Sequence, residues 1–314
     1  MNLRCKFHLT ANLSICALFF LTLSMSSLSL AAHVSDRHRM VLHVCKQGCR
    51  FERIQMAVDA ARSGDTIQIG PGTYFENVDI NNKDLTVQGA SSNQTTVDGR
   101  FRGPVFSILP LPFGTGSQIV SLSGLTITHG RNDTGGGIMV AGTVLTVTDS
   151  AIVSNWATQS GGGIDALLEG TADASTSFRS LIIQRCLIAR NRALSGGGLH
   201  TQAEVHSLIS NSSLVGNHAE AGGGAFIEYA TRSRIENTTI SDNTADGDGG
   251  GIWVAAGGEG EPASMVTFSH DAVVNNQAAL SGGGIFSSCL GGHCIVLEGE
   301  NSVTLNISGS TPGD

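Results

Sequence analysis

Asn191-Arg192-Ala193-Leu194-Ser195-Gly196-Gly197-Gly198-Leu199-His200-Thr201 is the stretch that decides the fold, because near copies of it recur along the chain. Glycine triplets start at Gly135, Gly161, Gly196, Gly222, Gly249 and Gly282, at intervals of 26, 35, 26, 27 and 33 residues. Most follow an Asn-x-Ala: Asn155-Trp156-Ala157, Asn191-Arg192-Ala193, Asn217-His218-Ala219, Asn243-Thr244-Ala245 and Asn276-Gln277-Ala278. Three residues before each asparagine stands Ile152, Ile188, Leu214, Ile240 or Val273, and five earlier again stands Val147, Ile183, Ile209, Ile235 or Phe268. A unit of this kind cannot bury its apolar face alone, so successive copies must stack and cover one another. After the triplets the inward and outward positions alternate, as in Ile252, Trp253, Val254, and a period of two means strand. Short strands in a repeat of about 26 residues, with no helical periodicity between them, predict an all-β chain wound as a parallel β-helix. Its coils then lie about 4.8 Å apart. Glycine is expected where the backbone turns sharply or stacked coils leave no room for a Cβ. Asparagine, which tolerates the left-handed region, is expected as a stacked corner column.

The ends of the chain differ from this middle. Arg4 and Lys6 precede an apolar run from Ile15 to Leu23, and Ser29-Leu30-Ala31 offers a small-x-small cleavage site, so residues 1–31 read as a secretory signal peptide. Residues 32–62 form an N-terminal cap. In it Phe51, Ile54, Ala57, Val58 and Ala61 fall at helical spacing and predict a short amphipathic helix covering the first coil. Residues 63–314 are the solenoid, with irregular coils to about 130, glycine-repeat coils over 131–288 and an end coil over 289–314. Without residues 1–31 the 18 basic side chains lose Arg4 and Lys6, leaving 16 against 26 acidic ones and a formal charge of −10. Such a surface speaks against nucleic acid or anionic membrane as a partner, and no membrane insertion is expected after signal removal. In a secreted protein Cys45 with Cys49 and Cys289 with Cys294 read as two short-range disulfides. Cys186 shares a column with Ser150, Ser212 and Thr238 and reads as a small buried residue.

Several motifs resemble a known family. Phe51-x-x-Ile54-Gln55-x-Ala57-Val58, Gly64-Asp65-Thr66-Ile67 and Pro71-Gly72-Thr73-Tyr74-x-Glu76 resemble the opening of secreted right-handed β-helix proteins of the pectin-lyase-like superfamily. The Asn-x-Ala and glycine-triplet units resemble repeats of the polymorphic outer membrane proteins, and together these motifs span most of residues 45–288. The resemblance implies a right-handed helix. It leaves function open, since this superfamily houses lyases, hydrolases, esterases and adhesins alike. Gly72-Thr73-Tyr74-Phe75-Glu76 is similar to the first block of pectin methylesterases, but that family's later Gln-Asp-Thr, Asp-Phe-x-Phe-Gly and Leu-Gly-Arg-Pro-Trp blocks are absent. The Asn-Thr-Asp, Asp-Asp and Gly-His-Gly set of polygalacturonases is absent too.

No catalytic residue is therefore assigned, and the leading expectation is a secreted, adhesin-like binder of polysaccharide or a cell-surface glycan. The residue two past each triplet is Met139, Asp165, His200, Phe226, Trp253 or Phe286, which stacking places in one outward line. Asp165, His200, Phe226, Glu228, Trp253 and Phe286 are accordingly the expected ligand-binding set: aromatic rings for a sugar to stack on, polar groups for its hydroxyls. The competing expectation is that insertions at 167–180 and 255–264 bury this line as a satellite core. The runner-up function is a pectate lyase-like uronate enzyme using an arginine base such as Arg190 or Arg234. A third, an autotransporter passenger, is weakened because no alternating barrel segments follow Cys294. No cofactor is expected. Asp246-Gly247-Asp248-Gly249 has calcium-binding residue types, but the other repeats do not share its aspartates, and it reads as a solvated loop.

Overall fold

A computed structural model describes residues 39–110, 118–167, 180–202, 205–228, 232–255, 265–288 and 294–309. The expected signal peptide, Cys289 and nearly all of the two insertions lie outside these residues. The chain is a right-handed parallel β-helix. The coils run from a ten-stranded sheet to a nine-stranded one and on to an eight-stranded sheet, and most of the later coils add a short corner strand between the last two. One complete coil runs Val266–Ser269, Ala272–Val274, Gln277–Ala278, Ile285–Ser287, and the chain re-enters the first sheet at Ile295–Glu298. Every described strand pairing is parallel, as the stacking of like coils requires.

The apolar columns are in register and fully enclosed. Ile152 pairs with Ile188, Ile188 with Leu214, Leu214 with Ile240 and Ile240 with Val273, and none is more than 1% exposed. Burying each such side chain contributes about 1.5–3 kcal/mol. The asparagines form a continuous ladder through Asn155, Asn191, Asn217, Asn243, Asn276 and Asn306. From Asn191 onward each Oδ1 accepts from both the backbone N–H and the Nδ2 of the asparagine one coil before, at 2.9–3.1 Å. Each Nδ2 also donates to a core-strand carbonyl, as Asn217 does to Ile188 at 2.9 Å. The ladder residues do not themselves take the left-handed conformation that the sequence suggested for them. The residue before each one does: Ser154, Arg190, Gly216, Asp242, Asn275 and Leu305, at φ between 54° and 62°. The turn and the hydrogen-bonding side chain thus occupy neighbouring positions, because the side chain must point inward along the stack while the turning residue faces out.

A second corner repeats the device. Asp149, Arg185, Asn211, Asn237 and His270 are left-handed there. The side chains one residue on accept a backbone N–H from the preceding coil: Ser150 from Leu125, Ser212 from Cys186 and Asp271 from Thr238. Cys186 is buried with a free thiol, and burial pushes its pKa up to about 11, so it is inert. In the triplets the first glycine turns at positive φ, +65° at Gly196, and the next two are packed against the adjacent coil. A Cβ on Gly197 falls 2.4 Å from the His218 carbonyl oxygen, and one on Gly198 falls 2.5 Å from that of Gly224.

The N-terminal cap is the helix Ile54–Ala60, with Ile54, Ala57 and Val58 buried. Its first amides donate to the carboxylate of Glu76, Ile54 N at 2.9 Å and Gln55 N at 3.1 Å, while Asp65 accepts from Met40 N and Arg62 N at 2.8 Å. Gly64-Asp65 and Gly72…Glu76 are therefore parts of the cap's attachment. Strand Val41–Val44, within the segment read as cap, already pairs with Thr66–Ile69 and opens the ten-stranded sheet. Cys45 and Cys49 are bridged; Cys294 is disulfide-bonded as well.

Candidate functional site

The eight-stranded sheet carries the outward line in register, Asp165 against His200, His200 against Phe226, Phe226 against Trp253 and Trp253 against Phe286. Their rings form a tilted stack with centroids 5.5, 4.6 and 5.6 Å apart from His200 to Phe286. The line is not open to solvent where a platform would need it. Asp165 is 0%, His200 4% and Phe226 7% exposed, so a sugar cannot lie on these groups as they stand. Of the two expectations for this line, burial holds at Asp165, His200 and Phe226, while Trp253, Phe286 and Glu228 are half-buried. What it assembles instead is a buried charge cluster. His200 Nδ1 donates to Asp165 Oδ1 at 2.7 Å, its Nε2 lies 3.6 Å from Glu228 Oε1, and Ser160 Oγ donates to Asp165 Oδ2 at 2.5 Å. Burial pulls the imidazole pKa down, but the two carboxylates outweigh it and hold it at about 9. Ser160 reaches the aspartate rather than Nε2, so the trio lacks the geometry of a nucleophile and its base.

An open groove lies on another side of the coil, at the corner after the nine-stranded sheet. There the residue after each ladder asparagine is turned outward: Trp156, Arg192, His218, Thr244, Gln277 and Ile307. Arg131 precedes them in register, and the column continues coil by coil. The groove has a volume of about 460 Å³ and is lined by Trp156, Thr158, Arg192, His218, Glu220 and Asp246, among others. Trp156 is 39% exposed, with the Arg131 guanidinium 4.3 Å over its ring. Both His218 nitrogens are engaged, Nδ1 with Thr244 Oγ1 at 2.9 Å and Nε2 with Asp246 Oδ2 at 3.2 Å. Among the described residues the Arg192 side chain has no ion-pair or hydrogen-bond partner. An indole face, an unpaired guanidinium and flanking carboxylates are what a sugar ring bearing hydroxyls and a carboxylate is recognised by.

Sequence reasoning missed this groove although its builder, the Asn-x-Ala motif, was in plain view. The signal was the variable residue of that motif, whose identity changes while its flanks repeat. Asp246 and Asp248, the calcium-type corner, have other employment: Asp246 pairs with His218 and Asp248 Oδ1 accepts from Ser281 N at 2.8 Å. Arg234 is paired with Glu236 and Glu298 at 3.0 and 3.1 Å.

Residues 113–306 match the family model described as right handed beta helix region. No curated protein matches the chain. Among solved structures, pectate lyase Pel9A is similar at 14% identity and TM-score 0.47, covering 85% of this chain and 78% of that one. Escherichia coli YbhC is similar at 13% and 0.45, over 76% and 75% of the two chains. Pectin methylesterase PemA from Erwinia chrysanthemi is similar at 12% and 0.43, over 80% of each.

Proposed function

The chain belongs to the right-handed β-helix family, and from that premise we propose that it is a secreted polysaccharide-binding protein whose binding site is the Trp156–Arg192 groove. The observation that carries this reading is the half-exposed indole beside an unpartnered guanidinium in an open groove. Neither group serves the core, and both line the same open groove, the ring as an apolar surface and the guanidinium as a free donor. The sugar ring stacks on Trp156, a carboxylate substituent meets Arg192, and Glu220 accepts from hydroxyls. The disulfides support an oxidising, extracellular setting.

Binding by the full chain to immobilised polygalacturonate, alginate and neutral glycans tests it. Trp156→Ala is expected to weaken binding about three- to tenfold, the loss of one ring contact of about 0.5–1.5 kcal/mol. Unchanged binding defeats the proposal. A second reading, a lyase, draws on the same unpaired Arg192 as its base. Release of unsaturated uronate products, monitored by ultraviolet absorbance and abolished by Arg192→Ala, decides for it.

A further inference from the structure

The nine-stranded sheet runs from Gly72–Tyr74 to Ser302–Thr304, and its outer surface is unlike the rest of this acidic chain. Among all residues of its nine strands only Asp98 is charged, and that carboxylate is engaged by His129 at 2.9 Å. The ten-stranded sheet carries Arg234, Glu236 and Glu298, and the eight-stranded sheet Asp79, Asp165 and Glu228. From Ser123 onward turns of two or three residues lead onto the nine-stranded sheet, whereas the long connections, Leu167 to Ser180 and Ala255 to Val266, join the other two. On this tightly edged face Leu187 is 41% exposed, and Val153, Val215 and Val274 are half-buried.

Its outward side chains follow a mirror order about the strand Ser213–Val215. Three coils to either side Thr128 matches Thr304, two coils away Val153 matches Val274, and one coil away Ala189 matches Ser241, with Val215 at the centre. In the neighbouring column Thr126 matches Ser302 and Ala151 matches Ala272, and only Leu187 and Thr239 differ in kind. Hydroxyls stand at both ends and aliphatic groups between them, the order of a polar rim around an apolar centre. The corner just past the sheet carries charge in the same relation. Arg190 stands one coil before the centre and Asp242 one coil after it, with Gly216 between them. Both are exposed; Arg190 has no side-chain partner among the described residues, and Asp242 accepts from Asn275.

We infer that this face is a self-association surface and that its partner is a second copy of this chain, turned about a twofold axis along the strand Ser213–Val215. Such a turn reverses the order of the coils and keeps the direction of the strands. Each outward side chain then meets its match, Val215 lies against Val215, and Arg190 of each copy meets Asp242 of the other. An almost uncharged face lets two acidic bodies approach without like charges meeting. An unrelated partner imposes no mirror order on a single chain, whereas a twofold contact does. The overlap takes in seven strands, from Thr126–Thr128 to Ser302–Thr304. At three residues each they present roughly 30 Å by 10 Å with the rims beyond, less than the about 800 Å² per partner of a standard interface, so the dimer is a reversible one.

Sedimentation velocity on the full-length protein over a concentration series tests this. Monomer is expected at about 5 µM and a majority of dimer at about 500 µM. Val215→Lys sets two like charges together on the axis and is expected to leave a monomer at every concentration, with the circular dichroism spectrum of the parent protein. Arg190→Asp is expected to weaken the dimer about tenfold, and Arg190→Asp combined with Asp242→Arg to restore it. Thr146→Lys, on the outer side of the ten-stranded sheet, is expected to change nothing. A parent protein that stays monomeric throughout overturns the inference, and the face then belongs to another partner or to none. Dimerisation of Val215→Lys, an equal loss in Thr146→Lys, or a paired exchange that fails to restore what Arg190→Asp removes overturns this face and its twofold arrangement.

Discussion

Two outward columns run along this solenoid with the same period and opposite fates. The line Asp165, His200, Phe226, Trp253, Phe286 begins buried and closes around its own charges. The line Arg131, Trp156, Arg192, His218 stays at the surface and lines a groove. Alternation along a strand says which side of the wall a residue is on. It does not say whether anything covers that side.

The comparison can be broken first at what the two columns share. Ile188→Asp puts an unpaired charge among fully buried neighbours, and no folded protein is expected by circular dichroism. Asn217→Leu removes the acceptor of Asn191 N and Nδ2 and the donor to Asn243 and Ile188, stranding buried groups at about 1–3 kcal/mol each. A melting temperature within a degree or two of the parent protein contradicts the ladder's structural role. Both variants should unfold the two columns alike.

The next test separates them. Phe226→Ala is expected to cost about 3–5 kcal/mol in urea denaturation, as for a buried ring. Trp156→Ala is expected to cost under about 1 kcal/mol and to act on glycan binding alone. The reverse ranking means that the assignments of covered and open face are exchanged.

Titration sharpens the buried side. His200 has a folded pKa of about 9 against an ordinary 6.5, so its contribution is fully present below about pH 6.5 and is lost as pH rises through 9. At about 1.4 kcal/mol per unit, that is on the order of 3 kcal/mol, and His200→Gln should abolish most of this dependence. Equal urea midpoints of the parent protein at pH 7 and pH 10 count against the ion cluster. The smallest effect belongs to the turn beside the groove: Arg190→Gly relieves a left-handed arginine and should leave stability within about 1 kcal/mol.

Local repetition was legible to the letter in this chain. The triplets, the Asn column and the apolar columns each demand a neighbour of their own kind one repeat away, so the parallel stack, the core and the need for an end cap followed from spacing alone. Even Cys186 could be placed, because its column-mates are serine and threonine. The cap's fastening through Glu76 and Asp65 was visible as a motif but not as a purpose, since its partners lie up to 25 residues away. Which outward column is open was decided only by the tertiary structure, because exposure depends on everything that packs over a wall and not on the wall's own period.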